Sequence, residues 1–271
     1  MSNAIDSNRS DSTRIEAIAQ QIAGYRRDGK KIPADAPKWN IASESMALAI
    51  QDRVAELVGE PVAGWKFGAA DAEGQKRLGL SQPFIGRVFR SRQQASPATL
   101  SPKVNPESYI ESEIAFSFGA DLPPRATPYT HAEIKASLSG CHPSYEIVDF
   151  SWPSRDGLVG VDFVADNGGC GGMVTGPSPA NWRNLDLLRE SIVYEVGGKT
   201  EAQGTVKKTI DQLIDHVVWF VNYMGSRGIT IKAGQFITTG TWTGMPPLRA
   251  GQTGTARYSS LGSISATMTG K

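Results

Sequence analysis

The stretch Tyr109-Ile-Glu-Ser-Glu-Ile-Ala-Phe-Ser-Phe118 reads as a β-strand by alternation. Ile110, Ser112, Ile114 and Phe116 fall on one face, Glu111, Glu113 and Ala115 on the other. Two carboxylates thus project side by side, which costs free energy unless something positive lies between them. An arbitrary Glu-x-Glu pair is most often a solvated strand face. Here the flanking Ile110, Ile114, Phe116 and Phe118 sink the strand into the body of the protein. A hard divalent cation with oxygen ligands resolves the repulsion there.

Working outward, short apolar runs bounded by Gly and Pro predict further strands at residues 64–68, 144–149 and 159–165. Residues 185–196 and 204–206 read as strand or edge material. Residues 235–239, 253–258 and 263–268 read as antiparallel strands. Helical spacing is confined to a few places. Thr13-Arg-Ile-Glu16 fits a capping box, followed by an apolar stripe of Ile15, Ile18, Ala19 and Ile22 and a stop at Gly24 or Gly29. A second helix is predicted over residues 43–58, a capped one from Thr130, and an amphipathic one over residues 209–223. The expected organisation is a mobile tail at 1–12, a helical segment at 13–60 and one domain at 61–271. Strands outnumber helices after residue 60 without regular alternation, so the fold class is α+β.

Composition narrows the function. At about 150 residues per domain, 271 residues make one large domain or one with an appendage. Lys+Arg 28 against Asp+Glu 27 leaves +1, too little to hold a phosphate backbone, which excludes a nucleic-acid binder. Cys141 and Cys170 make neither a disulfide framework nor a four-thiolate zinc site, and both are expected reduced in a cytoplasm. No stretch has the length of a signal-peptide core or a membrane span, so no membrane partner is expected.

Several other residues can carry chemistry. Glu146 and Asp149 lie in the apolar Tyr145-Glu-Ile-Val-Asp-Phe150, and Glu146 with Glu111 and Glu113 makes a three-carboxylate magnesium site reasonable. Lys66 sits in Gly64-Trp-Lys-Phe-Gly68. Burial there would lower its pKa and fit it for acid–base work; a stem snorkelling past Trp65 and Phe67 is the equal alternative. Gly240-Thr-Trp-Thr-Gly244 offers backbone N–H groups and the Thr241 hydroxyl to an anion such as a carboxylate, though such turns are common. The glycine run at 168–172 lacks the Lys-Ser/Thr of a phosphate loop. His131, His142 and His216 are scattered, without zinc spacing, and Cys141-His142 reads as structural.

The order of Gly-Trp-Lys-Phe-Gly68, Leu78-Gly-x-x-Gln-Pro83, Ile110-Glu-Ser-Glu-Ile-Ala-Phe116, Tyr145-Glu-Ile-Val-Asp149, Val164-Ala-Asp-Asn167 and Thr239-Gly-Thr241 resembles the 2-keto-4-pentenoate hydratase / 4-oxalocrotonate decarboxylase branch of the fumarylacetoacetate hydrolase superfamily. The resemblance covers the chain from about residue 13. It implies a rolled, multi-layer mixed β core preceded by helices. It also implies Mg²⁺ or Mn²⁺ at Glu111, Glu113 and Glu146, with Lys66 as the acid/base facing substrate and Thr241 with Gly240 at the substrate carboxylate. Three positions depart from the family. Phe84 follows Gln-Pro where an acid partner of the lysine is usual. Gly168 to Gly171 stand where serine is frequent. Phe150-Ser-Trp152 stands where an arginine is usual.

The resulting expectation is a cytoplasmic, homo-oligomeric lyase of aromatic catabolism. It would act on a small 2-oxo acid through an enolate held by the ion, with Lys66 moving the proton. Water addition comes first and decarboxylation second. Hydrolysis of a diketo acid ranks low, because no histidine precedes residue 131. A reading of another class is a weakened homologue that partners a related pathway enzyme. Phe84, as a ring in place of a charge, favours a substrate with a larger apolar tail.

Overall fold

The computed structural model describes residues 11–101 and 107–270. Two helices lead, α1 (Asp11–Asp28) and α2 (Glu44–Val58). Then come β1 (Val62–Gly68), α3 (Ala72–Leu78), β2 (Phe84–Phe89), β3 (Gln93–Ala95), β4 (Ala98–Leu100) and the long β5 (Glu107–Phe118). The middle holds α4 (His131–Ser137), β6 (Leu138–Val148), α5 (Gly160–Ala165) and β7 (Cys170–Thr175). The last part has β8 (Ser191–Val196), β9 (Lys199–Thr205), α6 (Ile210–Ser226), β10 (Phe236–Thr238), β11 (Pro247–Arg249), β12 (Thr253–Tyr258) and β13 (Gly262–Met268).

One mixed sheet runs β2-β1-β10-β5-β6-β7-β3, with β11 also on β5; a second runs β4-β13-β12-β8-β9. The even face of β5 turns Ile110, Ile114 and Phe116 into the main core, together with Phe220 of α6 and Ile264 and Ala266 of β13. Its odd face carries the glutamates. The expected α+β class and alternation are therefore both present. The leading helices share a second core with Leu80, Phe84, Trp152 and Val164, so they pack on the chain that follows.

Local reasons explain the boundaries. Ser43 caps α2 by accepting from the Met46 N–H, and Gly59 closes it in the left-handed region. Capping boxes at Thr130/Glu133 and Thr209/Gln212 open α4 and α6. Elsewhere the expectation fails. Residues 11 and 12 are already helical, so Thr13 is no cap, and Glu16 instead pairs with Arg53 of α2 at 2.7 Å. Gly29, at φ 71, ends α1, while Gly24 lies inside it. Of the tail expected at 1–12, residues 11 and 12 belong to α1, and 1–10 lie outside the described residues.

Residues 160–165 form a helix, not a strand. Asp162 accepts from the Val159 N–H at 2.9 Å, and Gln51 of α2 holds the Val164 carbonyl at 2.9 Å. Packing on α2 overrides the β-branched composition. Of residues 185–196 only Ser191–Val196 is strand, after two 3₁₀ turns. β12 and β13 are antiparallel as expected, whereas β10 runs parallel to β1 and antiparallel to β5.

A buried polar cluster ties α1 to the sheet. Arg26 donates to the Cys170 carbonyl (2.7 Å) and pairs with Asp166 (3.0 Å), which also accepts from the Ser151 N–H and hydroxyl. Asp149 takes Tyr25 and Lys31. The Arg26 and Asp166 side chains are 10% and 2% exposed, so removing one strands the other's charge. Asp166→Ala should cost about 3–5 kcal/mol of folding stability, read as a lower urea midpoint at unchanged slope. A loss below about 1 kcal/mol would show that Arg26 is adequately satisfied without it.

Candidate active site

The β5–β6 register places Glu111 directly opposite Glu146 and Glu113 opposite Ser144. One carboxylate oxygen from each of Glu111, Glu113 and Glu146 lies within 4.8 Å of the others. Glu113 and Glu146 are fully buried. Glu113 Oε2 accepts from the Gly240 N–H at 2.7 Å, while Glu113 Oε1 and both oxygens of Glu146 are buried without a hydrogen-bond partner. Unpartnered carboxylate oxygens that converge in a dry site fit a hard cation, since otherwise the cluster only destabilises the core. Burial and the facing Glu146 push Glu111 up to about 8, and burial with Glu146 and Glu111 holds Glu113 well above the usual carboxylate range.

Lys66 reaches the cluster from β1. Its Nζ lies 3.3 Å from Glu146 Oε1, an ion pair without hydrogen-bond geometry. The expectation of a lowered pKa is corrected here. Burial does depress Lys66, but the carboxylates, Glu146 foremost and then Glu111, outweigh it and hold the ammonium above the ordinary lysine range. The Thr241 hydroxyl is engaged with the Gly244 carbonyl at 2.9 Å, and the Gly240 N–H is spent on Glu113. The glycine turn therefore braces a glutamate as well as bordering the site.

These groups open into a cavity of about 620 Å³ whose wall includes Lys66, Phe84, Glu111, Gly240 and Thr241. It falls inside the roughly 300–1,000 Å³ typical of small-molecule sites.

A 2-keto-4-pentenoate hydratase of Burkholderia vietnamiensis is 27% identical over 265 residues, covering 96% of this chain and 99% of that protein. A 2-hydroxyhexa-2,4-dienoate hydratase of Comamonas testosteroni is 30% identical over 204 residues, covering 73% of this chain and 75% of that protein. The chain belongs to the 2-keto-4-pentenoate hydratase branch of the fumarylacetoacetate hydrolase superfamily. It is a lyase. No family model matches it. The solved structure of 4-oxalocrotonate decarboxylase from Pseudomonas putida G7, complexed with magnesium and adipate, shares the fold. It superposes with a TM-score of 0.82 over 97% of this chain and 100% of that chain, at 22% identity.

Two of the departures from the family are coupled. The Phe84 ring lies under Lys66, with Nζ 4.6 Å from its centroid. A Cβ on Gly168 would overlap Lys66 Cε and the Phe84 ring, and one on Gly68 would overlap the same ring. Asn167, at φ 56, fixes this approach by exchanging two hydrogen bonds with the backbone of Arg87 on β2. Gly168, at φ 67, therefore stands where serine is frequent because phenylalanine and the lysine stem fill the space.

Other groups of the site were not legible in sequence. Asp149 and Asp166 do not line the cavity, and the network around Arg26 and Tyr25 absorbs both. Arg155 does line it and is one of the charges acting on Glu111. An arginine thus returns five residues beyond Phe150, carried by a loop that no periodicity marks. Lys208 and His216 also line the cavity. The only signal in the sequence was the place of His216 on the α6 helix, which by itself does not distinguish a wall residue from a surface one.

Proposed function

We propose that this lyase adds water to a 2-oxo acid of the 2-keto-4-pentenoate type, with Mg²⁺ or Mn²⁺ held by Glu111, Glu113 and Glu146. The observation that carries this reading is the convergence of one carboxylate oxygen from each of Glu111, Glu113 and Glu146, with buried oxygens of Glu113 and Glu146 lacking a hydrogen-bond partner, beside a protonated lysine. The bound ion would supply Lewis acidity to the substrate's carboxylate and 2-oxo oxygens. Lys66 Nζ, fixed between Glu146 and the Phe84 ring, holds a proton where carbon can give or take one. Among the described residues the Thr241 N–H has no acceptor, which leaves it for the substrate carboxylate. Phe84, 7% exposed, closes the floor against water. The same reading makes the protein a cytoplasmic homo-oligomer; no helix among the described residues is long and apolar enough to cross a membrane.

Removing a C3 proton needs a Lewis acid and one base. Adding water needs a second positioned acid or base, which Phe84 cannot be. Metal-dependent hydrogen–deuterium exchange at C3 of a simple 2-oxo acid is therefore expected even where hydration of 2-hydroxypenta-2,4-dienoate is slow. NMR in D₂O with and without chelator measures the first, and loss of dienoate absorbance the second. Exchange no faster than with free metal ion would discard the mechanism and favour a partner role. Release of CO₂ would replace hydration by decarboxylation.

A further inference from the structure

The Lys66 stem is gripped by two backbone segments. One is β2 at Gly86, the cross-strand partner of Lys66, where an added Cβ would fall 2.9 Å from Lys66 Cγ. The other is the turn after α5 at Gly168, where an added Cβ would fall 2.3 Å from Lys66 Cε and 2.9 Å from Nζ. The two segments also meet each other, since the Cβ on Gly86 would fall 2.4 Å from the Asn167 carbonyl oxygen. A stem enclosed from Cγ to Nζ has few rotamers left. The head does not supply this order, because its 3.3 Å ion pair with Glu146 lacks hydrogen-bond geometry. The place of Nζ therefore follows the spacing of the two segments.

Two buried side-chain amides set that spacing, one on each side of Gly86 in the sequence of β2. β2 is an edge strand of its sheet, so side chains rather than a further strand satisfy its outer backbone groups. Gln51 of α2 takes Ile85. Its Nε2 donates to the Ile85 carbonyl at 2.8 Å and to the Val164 carbonyl of α5 at 2.9 Å, and its Oε1 accepts from Arg87 Nη1 at 2.9 Å. Asn167 takes Arg87. Its Oδ1 accepts from the Arg87 N–H at 2.7 Å and its Nδ2 donates to the Arg87 carbonyl at 2.8 Å. A side-chain amide carries the same donor and acceptor as a peptide group, so it pairs with an edge as a strand would. Residues 85 and 87 are thus each tied to the segment that carries Gly168. Neither amide lines the cavity or belongs to the carboxylate cluster, so either one reaches the reaction only through what it positions.

We propose that Gln51 and Asn167 are positioning residues for the proton transfer: by fastening α5 and the turn after it to β2 on both sides of Gly86, they set the place of Lys66 Nζ. This makes α2 part of the machinery although its own side chain stops short of the cavity. The proposal rests on the reading of Lys66 as the acid/base.

Deuterium exchange at C3 of 2-oxopentanoate, followed by NMR in D₂O with saturating Mg²⁺, tests it. Gln51→Met keeps the length of the side chain and drops its polar atoms. Asn167→Gly keeps the positive φ and drops the amide. Each should lower the exchange rate at saturating acid by at least about tenfold, since a misplacement of about 1 Å can cost roughly 10²-fold. Calorimetric Mg²⁺ affinity and the KM for the acid should stay within about twofold of wild type, because the carboxylates are untouched. In Lys66→Met protein, which has already lost the amine, adding either substitution should leave the residual rate unchanged. Each variant decides by itself, so misfolding of one leaves the other as the test. The wild-type rate retained in a folded variant, an equal fall in the two backgrounds, or a fall matched by lost Mg²⁺ affinity overturns the positioning role. Exchange by Lys66→Met as fast as wild type is a different result: it overturns the reading of Lys66 and removes the basis of this one.

Discussion

Glu113→Gln should abolish specific binding of Mg²⁺ and Mn²⁺, and should make the metal-free protein more stable above pH 8. Glu113 is buried, with Oε2 fixed by the Gly240 N–H and Oε1 unpartnered beside Glu111 and Glu146. A glutamine keeps the shape and can never ionise. The metal loses an anionic ligand that its other two carboxylates cannot replace, while above pH 8, where the metal-free cluster starts to ionise, the protein loses a buried like-charge repulsion. Added Mg²⁺ should raise the melting temperature of the wild-type protein and leave that of the variant unmoved.

The protonation states give this a pH signature. Glu111 is pushed up to about 8 and Glu113 is raised further above its ordinary value, so near pH 7 the cluster keeps protons that an incoming ion must displace. Affinity should rise as pH increases through 8 and fall as it decreases. Titration calorimetry in two buffers of different ionisation enthalpy should count release of at least about one proton per ion at pH 7. Unchanged affinity in Glu113→Gln, or binding without proton release, would place the metal elsewhere.

Lys66→Ala should lower turnover by about 10²–10⁴-fold, the usual contribution of a positioned acid or base, while Mg²⁺ still binds. The lysine touches Glu146 and the Phe84 ring and has no other ion-pair partner among the described residues. In the protein without metal the carboxylates keep it charged against the pull of burial. Once their charge is spent on a divalent ion, burial is left to depress it, which moves the lysine toward the range where it can both give and take a proton. Lys66→Met, which fills the same space beside Gly86 and Gly168, separates loss of the amine from collapse of the packing. Activity of Lys66→Ala within about tenfold of wild type, only ~1.4 kcal/mol of barrier, would make Lys66 a structural counter-ion.

How far the site could be read in advance depended on whether its parts follow local rules. Glu111 and Glu113 follow from period-2 alternation, which sends residues i and i+2 to one face however the strand later pairs. The capped helices at Thr130 and Thr209 and the stop at Gly59 follow from hydrogen bonds within one turn. Motif order was specific enough for the family, and with it Glu146 and Lys66. The register that sets Glu146 opposite Glu111 is a matter of pairing between strands 35 residues apart.

Everything else in the site comes from distant segments, and only the tertiary structure decided it. The segment at 160–165 is helical because α2 packs on it, against its β-branched composition. Lys66 is held protonated because three carboxylates from two other strands outweigh the burial that its aromatic neighbours advertise. Phe84 and Gly168, two separate departures in the sequence, are one packing unit in space. Arg155 reaches the cavity on a loop, Lys208 just ahead of α6 and His216 within it, where no spacing rule links them. Local chemistry determines which faces and ends a segment presents. Which charges meet across a cavity, and so what the cavity holds, is set by through-space electrostatics that the order of residues does not encode directly.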